Sequence, residues 1–190
     1  MAIRARNLVL FLAAGAVAAY FAYTWTFGGT QSSDVPTLLK TYPSAPDVKR
    51  QVIRSRIISL YKHADHYGLL SSALDDPSPL TQALAVDLLT QKNEGSALPK
   101  LFAMLNDPRR DPLVTARVAT SIARIPLTAP RLTKVVPRLI ELTGEAQPED
   151  VRAAAHHALK KLLDTNVVRY GPGTRDAWEE FWKSSPMNVP

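Results

Sequence analysis

Residues 151–162 read Val-Arg-Ala-Ala-Ala-His-His-Ala-Leu-Lys-Lys-Leu, and this stretch decides the fold. Its apolar positions Val151, Ala154, Ala155, Ala158, Leu159 and Leu162 lie at offsets of 3, 4, 7, 8 and 11. At 3.6 residues per turn, all six share one face of a helix, and that face must pack inward. Just upstream, Leu132, Val135, Val136, Leu139 and Leu142 make a second helical stripe. The short Gly144 to Pro148 connection folds the two antiparallel into a helical hairpin.

The same hairpin recurs along the chain. Pro99-Lys100-Leu101-Phe102 returns 38 residues later as Pro137-Arg138-Leu139-Ile140, which implies equivalent positions in two first helices. Leu70-Ser-Ser-Ala-Leu74-Asp-Asp-Pro77 returns 31 residues later as Leu101-Phe-Ala-Met-Leu105-Asn-Asp-Pro108, each closing a first helix with a turn. Asp47-Val48-Lys49 echoes Asp150-Val151-Arg152 at second-helix starts, where an aspartate can cap free backbone N–H groups and complement the helix dipole. A partial unit ending near Tyr61 and hairpins at 66–92, 94–125 and 129–164 follow, with no run of strand-like alternation, so the chain reads as all-α. Only the last hairpin keeps the Val-Arg pair; Leu80-Thr81 and Val114-Thr115 stand in its place in the other two.

Over residues 47–164 this alternation resembles the HEAT repeat family, particularly its short bacterial form often called PBS-lyase HEAT-like. The resemblance implies a short right-handed α-solenoid of helical hairpins. Residues 165–190 resemble the closing segment of such chains, a Gly-containing turn at Tyr170–Gly173 and then Trp178, Phe181 and Trp182 at i, i+3 and i+4. A solenoid end must be covered, and three aromatics cover much area in little length, so these residues are expected to form an aromatic C-terminal cap.

Working outward to the N-terminus, Leu8 to Phe27 is twenty residues without a charge, about 30 Å as a helix and enough to span a bilayer core. Arg4 and Arg6 precede it and the next basic residue after it is Lys40, a bias that keeps the N-terminus cytoplasmic and exports the rest. Tyr20, Tyr23 and Trp25 suit the outer headgroup interface. Ala14, Ala18 and Ala22, with Gly15 and Ala19 beside them, make one face nearly smooth, which suits close packing against another membrane helix. The competing reading is a cleaved signal peptide with an Ala16-Val17-Ala18 processing site. The expected organisation is therefore a cytoplasmic N-terminus and transmembrane anchor (1–27), a Gly-, Ser- and Pro-containing linker (28–46), a repeat domain (47–164), and a capping helix with tail (165–190).

Chemistry is sparse. There is no cysteine, which excludes disulfides, thiol nucleophiles and thiolate metal sites. His63 and His66 lack a third ligand partner in sequence, and His156 and His157 point in different directions on a helix. Some relatives of the repeat family are enzymes, including a di-iron hydroxylase whose resemblance would require His-Glu pairs, and none exists here. No phosphate-cradling or nucleophile-elbow motif appears. No catalytic residue, metal or cofactor is therefore expected. The net charge of +6, of which Arg4 and Arg6 supply two, is too small to argue for nucleic acid. The densest basic cluster, Lys49 and Arg56 on one face of a helix and Arg50 and Arg54 on another, suits anionic headgroups or an acidic neighbour.

The functional expectation is a non-enzymatic, single-pass protein of a bacterial inner membrane with its repeat domain in the periplasm. It would act as a scaffold or accessory subunit of a larger membrane complex, a respiratory, photosynthetic or envelope assembly. Its partners would be other subunits and the lipid bilayer, with no obligatory small molecule. The alternative is a periplasmic ligand-binding protein or enzyme released by signal cleavage, using His63, His66 or the Trp178–Trp182 cluster.

Overall fold

The computed structural model describes residues 34–92 and 94–187, with residues 63–65 described at the backbone only. The anchor residues named above, Arg4 to Trp25, lie outside the described residues. Among those described, no helix is long and apolar enough to cross a membrane.

Nine α-helices form among the described residues, with no strand: α1 Val35–Thr41, α2 Asp47–Leu60, α3 His63–Ala73, α4 Pro79–Gln91, α5 Leu98–Asn106, α6 Pro112–Ile122, α7 Ala129–Leu142, α8 Glu149–Leu162 and α9 Thr174–Ser184. Five of them, α1, α4, α5, α6 and α7, begin with proline in the first two positions. There the missing N–H costs nothing and the fixed φ is already helical, so the chain's prolines punctuate the fold rather than break it.

The chain divides after Lys62 into two compact units. In the first, part of the expected 28–46 linker is helix, because Pro36 starts α1 and Val35, Leu38 and Leu39 are buried. α1 packs with α2, whose Ile53 and Ile57 are fully buried. Asp47 does not cap α2. Pro46 holds the cap position, so Asp47 falls inside the first turn, where only its charge acts on the helix dipole and where it pairs with Arg50.

In the second unit, α3 packs on α4, α5 on α6 and α7 on α8, three antiparallel pairs. The second helices α4, α6 and α8 lie in one row, and α5, α7 and α9 follow one another in a parallel layer. α9 thus takes the place of the first helix of a fourth pair. The core is aliphatic, with Leu70, Leu74, Leu88, Leu89, Leu101, Leu105, Val118, Ile122, Val136, Leu139 and Leu159 all nearly inaccessible to solvent. Each such side chain contributes about 1.5–3 kcal/mol by leaving water.

The two Asp-Pro turns are built alike: Asp76 accepts from the Ser78 N–H at 2.8 Å and Asp107 from the Arg109 N–H at 3.0 Å. Short acidic side chains that bind the backbone two residues on favour such turns. The true caps are Ser78, accepting from Thr81 N–H, and Asp111, accepting from Leu113 N–H. Asp150, like Asp47, sits within a first turn behind a proline, here Pro148. The Pro99 and Pro137 segments also differ in placement. Pro99 opens α5, whereas Pro137 lies exposed inside α7, because Pro130 already starts that helix about two turns earlier. α8 ends with Asp164 at φ 46° and the Thr165 N–H returning to the Lys160 carbonyl, a closure that satisfies a terminal carbonyl.

Candidate functional site

Basic residues bind one pair of helices to the next, and they repeat in register. Lys100, in the first turn of α5, donates to the Ser71 carbonyl near the end of α3 (2.6 Å) and to Asp75 (2.6 Å). Arg138, its counterpart in α7, donates to the Leu105 carbonyl at the end of α5 (3.0 Å) and to Glu141 (2.7 Å). A cation on the negative end of a helix satisfies carbonyls that lack a partner within it. The row of second helices has its own ties. Arg110 bonds Gln82 (3.1 Å), which donates to the Asp76 carbonyl, and Arg117 of α6 lies 3.5 Å from the buried Asp87 carboxylate of α4.

These ties join α4 to α6, and α6 packs directly on α8, so that α4, α6 and α8 form one row. Between α6 and the start of α8 it carries a shallow groove of about 290 Å³ lined by Pro112, Leu113, Ala116, Arg117, Thr120, Pro148 and Asp150. Leu113 is 40% exposed there. Ala153, His157 and Lys161 continue the exposed side of α8. Pro112, Leu113, Ala116 and Pro148 give the groove apolar surface, and Arg117 and Asp150 place a charge of each sign beside it. A second cavity, about 560 Å³, lies between the α7–α8 turn and the start of α9. Its cations are already engaged, Arg138 with Glu141 and Arg175 with Glu179 at 2.9 Å, the second contact raising the guanidinium's proton affinity.

At the C-terminal end, Trp178 is fully buried, Trp182 is 6% exposed and Phe181 is half-buried with its ring edge-on to Trp178 at 5.7 Å. The Trp178 indole N–H donates to His156 Nδ1 at 3.0 Å. The Tyr170 ring leans on His156 at 5.3 Å, and its hydroxyl donates to Glu149 at 2.6 Å. That hydrogen bond, together with Arg152, holds the Glu149 carboxyl below its usual range, while burial and the same bond push the Tyr170 phenol up. Gly173, at φ 74°, is the residue from which α9 springs, a backbone conformation that favours glycine.

His156 and His157 do part company, one buried and the other exposed. His66 is half-buried, and the His63 side chain lies outside the description. Among the described residues no group of three His, Asp or Glu side chains gathers at a point that could hold a metal ion. Lys49, Arg50 and Arg54 are half-buried and Arg56 exposed; they flank the Ile53–Ile57 stripe of α2, while its most exposed line is the uncharged Val48, Gln51, Ser55 and Ser59. Sequence reading missed the roles of His156, Lys100 and Arg138. The 38-residue recurrence that aligns Lys100 with Arg138 was the available signal for the last two.

No curated protein and no solved structure matches the chain. A family model of HEAT repeats matches residues 68–160, from within α3 to within α8. Over this span the three stacked helix pairs and the basic ties between them are similar to HEAT repeats, an architecture that suggests a protein-protein interaction scaffold.

Proposed function

We propose that the protein is a membrane-tethered HEAT scaffold, an accessory subunit that acts by binding rather than catalysis. It carries its array on the extracytoplasmic side and belongs to the short bacterial form of the repeat. The observation that carries the reading is the continuous α4–α6–α8 row, with Leu113 exposed over a groove rimmed by Arg117 and Asp150. The uncharged run Leu8–Phe27 behind Arg4 and Arg6 supplies the tether, and its small-residue face, Ala14, Ala18 and Ala22, a second docking surface within the bilayer. Lys49, Arg50, Arg54 and Arg56 add attraction to anionic headgroups or an acidic neighbour. Detergent extraction followed by affinity capture tests the reading: a reproducible partner subunit supports it, and recovery of the monomer alone removes it. Intact mass tests the tether, since a chain beginning near Ala19 would mean a cleaved signal and no anchor.

A further inference from the structure

His156 and Trp178 hold the end of the array together by a bond that only one protonation state of the imidazole can make. An indole N–H can only donate, so Nδ1 of His156 accepts at 3.0 Å and the ring is neutral, with its proton on Nε2. Both partners are buried, His156 at 8% exposure and Trp178 at none, so water cannot replace the bond. A proton on Nδ1 would set two donors against each other at that distance.

We propose that the His156–Trp178 pair is an acid-sensitive latch: protonation of His156 releases α9 and uncovers the apolar end of the HEAT array. The surroundings offer the imidazolium no counter-charge. On its own helix the charges acting on it are the cations Lys160 and, when protonated, His157, while Arg152 is occupied with Glu149. From the 165–173 segment it meets the Tyr170 ring, whose hydroxyl is committed to the Glu149 carboxylate. From α9 it meets the uncharged indole, and Arg175 and Glu179 on that helix neutralise one another. Among the described residues, α6 and α7, which pack on α8, bring no charge that acts on the ring.

Burial first, and then the two cations, hold the His156 proton affinity below its ordinary value. The unfolded chain protonates near about pH 6.5 and the folded chain only at lower pH, so the unfolded state binds more protons between the two values. The stability this residue contributes is complete above the unfolded value and is lost as the pH falls through the folded one. The latch rests on the second unit's geometry alone and stands apart from the tether and groove readings.

The absence of native cysteine makes paired labels simple. Spin labels on Ala153→Cys in α8 and Ala177→Cys in α9 of the full chain report the distance between the helices from about pH 8 to about pH 5. The expected result is one narrow distance at the upper end that gives way to a longer, broader distribution at the lower, with a midpoint below that of a free histidine. His156→Gln keeps an amide oxygen for the indole and cannot titrate, so its distance should stay narrow throughout. An unchanged wild-type distance while the chain remains folded, or the same acid step in His156→Gln, overturns the proposal. If the variant does not fold, the Trp178 indole N–H resonance in the wild-type chain decides: it must leave its hydrogen-bonded position with the His156 titration, and a resonance indifferent to that titration overturns the latch.

Discussion

Residues 63–190 hold fifteen basic and fifteen acidic side chains and are electrically neutral, whereas residues 1–62 hold eight basic and two acidic and carry all of the chain's +6. The neutral unit spends its charges inward: Lys100, Arg110, Arg117 and Arg138 each meet an oxygen of another helix. The basic unit has far fewer carboxylates with which to do the same. The contrast teaches that total charge understates how specialised the two regions are. On the proposed reading, one coheres and presents a surface and the other locates it. A charge asymmetry of this kind, beside an uncharged twenty-residue run, suits a membrane surface better than nucleic acid.

Five variants break or sharpen that contrast. The largest effect is expected from Trp178→Ala, which removes the most buried large side chain of the cap and should cost about 3–5 kcal/mol in denaturant unfolding; a loss under about 1 kcal/mol would show that α9 is dispensable. In the other unit, Lys49→Gln with Arg56→Gln should leave unfolding unchanged yet weaken association with anionic vesicles by about 1 kcal/mol per residue, an effect that added salt mimics. Equal binding to neutral and anionic vesicles would remove the locating role of that charge. Arg138→Met should cost about 1–2 kcal/mol by leaving the Leu105 carbonyl without its donor, and Lys100→Met somewhat less because that ammonium is more exposed. Smallest in stability within the second unit is Leu113→Glu, within about 0.5 kcal/mol by thermal unfolding, although it should abolish partner capture.

Much of the array was legible because helical periodicity needs no neighbours to be read. Of the stripe Leu132, Val135, Val136, Leu139 and Leu142, Leu132, at the start of α7, is half-buried and the last four are buried as their spacing required. So are Val151, Ala155, Ala158 and Leu159 of the opening stretch, whereas Ala154 and Leu162, at the margins of that face, are only half-buried. His156 escaped because polar residues are placed by default outside, and only the indole of Trp178, arriving from twenty-two residues away, makes its burial tolerable. α1 escaped because seven residues among prolines read as a linker, and only packing on α2 makes so short a helix stable. The capping aspartates were misplaced by one or two positions because Pro46 and Pro148 take the boundary itself. The groove at Leu113 could not be seen at all, since its two walls come from helices that meet only in space.

The central claim is that the second-helix row is the face the scaffold offers. Photo-crosslinkers placed singly at Ala116 in α6, Ala153 in α8 and Ala103 in α5 of the full-length chain, in intact membranes, test it most directly. The account predicts the same discrete adduct from Ala116 and Ala153, lost in Leu113→Glu, and none from Ala103 in the opposite layer. Adducts from Ala103 alone, or none from the second-helix positions, would contradict it.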